Sequence, residues 1–257
     1  MFSALLSYRR YIWRNAWNEL RYHYAGTGMG IFWNVIHPLV TILLYTLIFS
    51  WIFPQRAKGG GYVLHLTSGL LAWRAFTDTI QRGSNAFIEH ARYLKRLAIP
   101  PQVFVAKICV TGTLMLFLYY LLLLPISMWL GNDLGWSVIA FPGVLLALQL
   151  LAFGLALALA HLRALFPDVE QIVQAILPLW MWTLPVVYPE TVIPPSLRAW
   201  LWLNPPYMYL RSMRDVLLNR QLPALEEWLA MTFWLCVALG CGIYVNQKLQ
   251  HDATEAI

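Results

Sequence analysis

The sequence predicts an all-α, polytopic membrane fold, and three observations carry that prediction. Of its 257 residues 60% are hydrophobic and only 12% charged, about half the charged share of an ordinary soluble domain. Five stretches, 31–53, 108–130, 134–160, 171–189 and 228–245, contain no Asp, Glu, Lys or Arg. Each is about as long as the roughly 20 residues that span a ~30 Å hydrocarbon core. None alternates in the ~10-residue pattern of a membrane barrel strand, and the mean hydropathy of +0.58 agrees.

Residues 2–24 come first and predict a helix lying in the membrane interface. On a helical wheel Phe2, Leu5, Leu6, Ile12, Trp13, Ala16, Trp17, Leu20 and Tyr24 share one arc. Arg10, Arg14, Asn15, Asn18 and Arg21 lie off it, and Arg9 is an exception. Basic residues on the polar face and tryptophans on the apolar face suit an interfacial helix. It is read either as a simple anchor or as a docking surface for a cytoplasmic partner. Gly26, Gly28 and Gly30 then free the backbone for a bend, because a flat helix must turn upright to enter the first span, 31–53. That span holds His37-Pro38, a tolerated kink inside a membrane helix.

The second span, 62–82, carries Arg74 and Asp78. Their i, i+4 spacing puts both on one face, either as a mutual pair or as hydrated lining of a conduit, since ionisable groups inside a membrane face a partner or water. Residues 83–103 are the most polar stretch between spans. A short basic helix over 85–96 ends at Pro100-Pro101, so it reads as a solvated loop or as a lever joined to the third span. Spans at 106–130, 136–161 and 171–189 follow, with a polar turn at 161–171. Residues 195–218 hold two short helical patterns, Ser196–Leu203 with Ser196 as N-cap and Tyr207–Leu218. Neither is long enough to span, so both are expected to dip into the membrane as re-entrant helices, a structure tolerated only where protein or a water-filled cavity covers it. The last span is 226–246.

With the N-terminus inside, eleven Lys and Arg fall in inner segments and six, Arg56, Lys58, Arg198, Arg211, Arg214 and Arg220, in outer ones. The positive-inside rule then puts both termini in the cytoplasm. No apolar segment with a small-residue cleavage site follows Arg9, Arg10 and Arg14, so no secretory signal is expected. Cys109, Cys236 and Cys241 sit in apolar runs without CxxC spacing and read as small apolar side chains. No metal site is expected.

The chemistry is that of a conduit. No GxxxxGK[ST], HExxH or GxSxG occurs, so this chain binds no ATP in a P-loop and shows no enzyme motif. Asp168 and Glu170 are close, but they lie in a polar turn beside Arg163. Rings within the spans, Tyr45, Trp180 and Trp182, would suit the C–H faces of sugars in a hydrated path, although core packing also buries rings.

Four segments carry a resemblance. RYHYAGTGMGIFWNVIHPL resembles the R-[basic/aromatic]-x-x-x-x-x-LG-x-x-W-x-x-x-x-P entry of ABC-2 type polysaccharide export permeases, with Met29 where leucine is usual. HARYLKRLAIPPQVFVAK is similar to their segment between spans 2 and 3. LFPDVEQIVQAILPLWMWTLPVVYP is similar to their connection from span 4 to span 5, and WLNPPYMYLRSMRD to their Asn-Pro element. The similarity covers nearly the whole chain as one domain, 1–257. The FPD form and the length look most like the capsular-polysaccharide subgroup, with O-antigen exporters a close second. The resemblance implies a homodimer in a bacterial inner membrane and two separate ATPase subunits that bind ATP and magnesium. It also implies a lipid-linked polysaccharide as cargo, partners in the periplasm and outer membrane, and no nucleic acid. It places ATPase coupling at Arg10, Arg14, Glu89, His90, Arg92, Tyr93, Lys95 and Arg96. It places the periplasmic gate at Trp200, Trp202, Asn204, Pro205, Tyr207 and Arg211. The translocation path is expected at Trp33, His37, Tyr45, Arg74, Asp78, Trp180 and Trp182. Two other classes stay open: an ABC-2 permease for a drug or small lipid, and a membrane enzyme of lipid-linked sugar metabolism, which would need clustered acidic or histidine residues.

Overall fold

Apolar runs punctuated by proline and polar turns give helices, and among the described residues of this computed structural model there is helix and turn but no strand. The described residues are 2–22, 27–52, 61–96 and 99–256. His23, Tyr24, Gly26, Arg56 and Lys58 lie outside them. The α-helices are α1 (Phe2–Ser7), α2 (Arg9–Tyr22), α3 (Trp33–Ile52), α4 (Gly61–Glu89), α5 (Ala91–Arg96), α6 (Gln102–Trp129), α7 (Phe141–Leu165), α8 (Val169–Trp182), α9 (Pro195–Arg198), α10 (Tyr207–Leu218) and α11 (Leu225–Ala256). Short 3₁₀ turns precede α3 and α7, precede α9 at Glu190–Val192, and follow α9 at Ala199–Leu203.

Three of these are long and apolar enough to cross a bilayer: α6, α7 with the 3₁₀ turn leading into it, and α11. The protein is therefore a helical, multi-pass membrane protein. Helix α3 has 20 residues, which at 1.5 Å per residue reach ~30 Å. Helix α4 has 29. One face is buried through Leu64, Leu71, Phe76 and Ile80, whereas Arg74 and Asp78 are exposed.

Four expected elements differ. The interfacial helix is broken at Tyr8 into α1 and α2. Ser196 is no N-cap: Pro194 holds that position for α9, and no side chain caps the helix. The charge-free run 171–189 is not one helix, because α8 stops at Trp182 after 14 residues, or ~21 Å. Pro185 explains the stop, since proline lacks the N–H that a continuing helix needs and disfavours helical geometry at Leu184 before it. The lever is also shorter than expected. Helix α4 continues through residues 85–89, His90 forms a turn, and α5 alone covers 91–96.

Lipid tails are as apolar as leucine, so the helices are held by close packing and internal hydrogen bonds rather than by escape from water. At the α7–α11 crossing, a Cβ on Gly154 would lie 2.5 Å from the Ala238 carbonyl carbon, and one on Gly242 would lie 2.6 Å from the Gly154 oxygen. Only small residues permit that approach. Buried hydroxyls find partners across elements: Tyr120 donates to the Ser68 carbonyl at 2.9 Å and Tyr209 to the Met231 carbonyl at 2.6 Å. Two cores result. The larger joins α4, α6, α7 and α10. The smaller joins Ile12 of α2 to Phe87, Phe104, Phe153 and Leu157.

Candidate functional site

The residues expected to matter collect at opposite ends of the bundle, and each end is organised by ionisable groups. At the end holding α2 and α5, Ile12 and Ala16 bury one side of α2 and turn Arg10 and Arg14 outward. Arg92, Tyr93 and Lys95 on α5 are also exposed, as is Glu89 at the end of α4. The Arg96 side chain lies outside the described residues. No acidic residue pairs with Arg10, Arg14, Arg92 or Lys95 among the described residues, so this end offers a basic surface. Burial, and next Tyr93, raise the Tyr11 phenol above its ordinary range.

Behind that surface lies a charged clasp. Glu19 on α2 accepts from Arg82 of α4 and, at 3.1 Å, from Lys107 of α6. Lys107 lies 3.3 Å from His90 Nε2, so the turn between α4 and α5 joins the same network. His90 also packs on Phe104, with ring centroids 4.8 Å apart. Burial, and then the Lys107 charge, hold its imidazole below the ordinary 6.5. Glu19, Arg82 and Lys107 are outside every expected residue set. The available signal was Glu19 itself, the lone acid of a basic helix, placed seven residues after Ile12 and three after Ala16 on its buried side.

Asp78 bonds Arg82 at 3.4 Å, so the expected Arg74–Asp78 pair is not formed. Both instead line a cavity of about 90 Å³ together with Glu19, Arg82, Thr111 and Tyr119. Trp33 and His37 stack at the start of α3, 5.2 Å between centroids, beside a separate opening they share with Met29. Tyr45 is half-buried farther along α3. Trp180 is tied into the fold. Its ring meets Trp73 and Phe76 edge-on, 5.8 Å from each, and its N–H donates to Asn204 at 2.8 Å. Trp182 is exposed. Asp168 caps nothing with its side chain, while Glu170 binds Arg163 at 2.6 Å and accepts from Asn85 at 3.3 Å. These are structural bonds.

The other end is built on α9 and α10, and Tyr207–Leu218 is helical as expected. Asn204 is its pivot, accepting from Trp180 and donating to Thr183 at 2.9 Å. It thereby ties the residues before α10 to the end of α8. Trp202 accepts from the Trp234 ring N–H at 3.2 Å. Trp200 is exposed, and Pro205 sits in the turn before α10. Arg211 reaches Glu227 at 3.3 Å and Asp215 at 3.7 Å, joining α10 to α11. Burial, and next the Glu190 carboxylate, push Tyr207 up to about 12. Arg214, read in the sequence only as an outer charge, is 6% exposed and donates to the carbonyls of His65, Pro185 and Val186 at 3.2, 2.5 and 2.8 Å. Gly69 leaves room for it, since a Cβ there would collide with the guanidinium. A cavity of about 340 Å³ opens between His65, Glu190, Arg211, Arg214 and Asp215.

A basic outer face wired to the membrane helices lies at one end, and short pinned helices over a polar cavity lie at the other. The chain is 27% identical over 255 residues, 98% of its own length and 97% of the relative's, to the O-antigen export system permease protein RfbA of Myxococcus xanthus. Residues 10–218 match the profile of the ABC-2 type transporter family, and the chain belongs to that family.

Proposed function

We propose that this chain is the membrane subunit of an ATP-driven exporter that moves a lipid-linked polysaccharide, capsular or O-antigen, across a bacterial inner membrane. The observation that carries the reading is the end-to-end correspondence with an O-antigen export permease. The relative's name supports O-antigen, while the FPD form and the chain length support capsule.

In this reading six spans, formed by α3, α4, α6, α7, the 171–189 segment and α11, leave both termini in the cytoplasm. Two copies pair, and spans 1 and 5 of each surround a hydrated tunnel. The exposed apolar side chains of α3 (Leu43, Trp51) and α8 (Ile172, Ile176, Leu179) support that pairing. Two ATPase subunits dock on Arg10, Arg14, Arg92, Lys95 and Arg96. Their closure presses on α5, and His90 with the Glu19–Lys107 bridge passes the movement to α2, α4 and α6. On the periplasmic side α9 and α10 form the gate, and export proteins beyond the membrane receive the polymer. The chain itself holds no ATP and performs no covalent step.

Deleting the gene while keeping the ATPase tests the reading. Lipid-linked polymer should accumulate on the cytoplasmic side, surface polymer should disappear, and re-expression should restore it. Normal surface polymer, with altered drug resistance or lipid distribution instead, would transfer the assignment to a drug or lipid permease.

A further inference from the structure

We infer that the cavity between the start of α4, the Glu190 turn and α10 holds one non-acidic sugar residue. His65, Glu190, Arg211, Arg214, Asp215 and Asn219 are among the residues that line it. Its volume of about 340 Å³ lies near the lower end of the ~300–1,000 Å³ of small-molecule sites. The charges on the wall balance, two guanidiniums against two carboxylates. Glu227, behind Arg211 at 3.3 Å, adds a further carboxylate. The site therefore has no excess positive charge with which to hold a phosphate or a uronic acid. Nor do three His, Cys, Asp or Glu side chains group for a metal ion among the described residues.

What the wall does offer is donors beside acceptors. Asp215 accepts from Asn219 at 2.6 Å and pairs with Arg211 at 3.7 Å. A carboxylate has about four acceptor sites and a guanidinium five donors, so both keep capacity for a guest. Arg214 is held on three carbonyls, which fixes one side of the cavity. The buried His65 Nε2 has no hydrogen-bond partner among the described residues, an unmet demand at the same wall. A hydroxyl both donates and accepts, so neighbouring hydroxyls on a sugar ring can bridge a carboxylate and a guanidinium at once. A simple anion only accepts, and an ammonium only donates.

The inference rests on the export reading, which brings a sugar polymer past α10, and deepens it by giving the gate side a subsite for one sugar unit. Its test measures binding with neither ATPase nor polymer, so failure here leaves the deletion experiment to judge export separately. The full-length chain, in nanodiscs free of glycolipid and sugar-based detergent, would be titrated by saturation-transfer NMR. The probes are the methyl glycosides of glucose, galactose, mannose, N-acetylglucosamine and glucuronic acid. At least one of the four neutral glycosides should bind saturably near ~1 mM, as expected for about a dozen non-hydrogen atoms, and at least ~5-fold more tightly than the glucuronide. Glu190→Gln and Asp215→Asn should each weaken that binding at least ~5-fold, the loss of one charge-assisted bond. The second variant decides if the first does not fold. No saturable binding by any glycoside, equal binding of the glucuronide, or wild-type affinity in either variant would overturn the inference.

Discussion

Replacing Glu19 by glutamine removes the carboxylate shared by Arg82 and Lys107 and leaves two cations facing each other beneath α2. At 3.1 Å and an effective dielectric of about 20, the Lys107–Glu19 attraction is about 5 kcal/mol gross. Desolvation of both partners and the 30% exposure of Arg82 reduce the net loss to about 2 kcal/mol. That corresponds to roughly 30-fold in the equilibrium between docked and undocked α2. The expected phenotype is local, because the buried contacts of α2 run mainly through Ile12 to the smaller core. Hydrogen exchange of the full-length chain should show protection of residues 9–22 falling about 30-fold, while α11 keeps wild-type protection. A double-mutant cycle with Lys107→Gln should return a coupling energy of about 1–3 kcal/mol. Unchanged protection over 9–22, or an equal loss along the whole chain, would refute the idea that this bridge docks the helix.

Three further outcomes follow from the same geometry. His90 binds its proton less readily when folded than when unfolded, so its contribution to stability is complete above about pH 6.5 and is lost as pH falls below it; melting temperatures should separate wild type from His90→Gln progressively between pH 7 and 5, with wild type losing more. Gly69→Ala should drive the Arg214 guanidinium from its three carbonyls and cost about 3–5 kcal/mol, seen as a lower melting temperature, and combining it with Arg214→Lys should cost less than the sum of the two single changes. Asn204→Ala removes the acceptor of Trp180 and the donor to Thr183, about 1 kcal/mol each, and should raise the labelling rate of a cysteine placed at Leu203 by roughly tenfold, whereas an unchanged rate would remove Asn204 from the gate.

The sequence was most legible where punctuation is strong. Pro101 begins α6, and Pro205-Pro206 precede α10, so both helices fall close to their expected limits. It was less legible where composition runs on past a break: 171–189 has no charge anywhere, and only Pro185 signals that the helix stops early. Arg10 could be placed on a surface because helical periodicity alone exposes it, whereas Arg92 and Lys95 were singled out by the resemblance. The clasp could not, because Glu19, Arg82 and Lys107 come from three separate segments and meet only when α2 lies across α4 and α6. Arg214 was hidden for a related reason: an arginine amid Tyr, Leu and Met looks like loop charge until three carbonyls from other segments surround it. Trp180 showed its apolar ring in the sequence, but not the Asn204 bond that commits it to packing.

The most direct test of ATP-driven export through this chain is the triple change Arg92→Gln, Lys95→Gln, Arg96→Gln in the assembled complex, measured as polymer delivered per ATP hydrolysed. Assembly and polymer synthesis should persist while delivery per ATP falls at least tenfold; unchanged delivery from a normally assembled complex would contradict the coupling role of this surface.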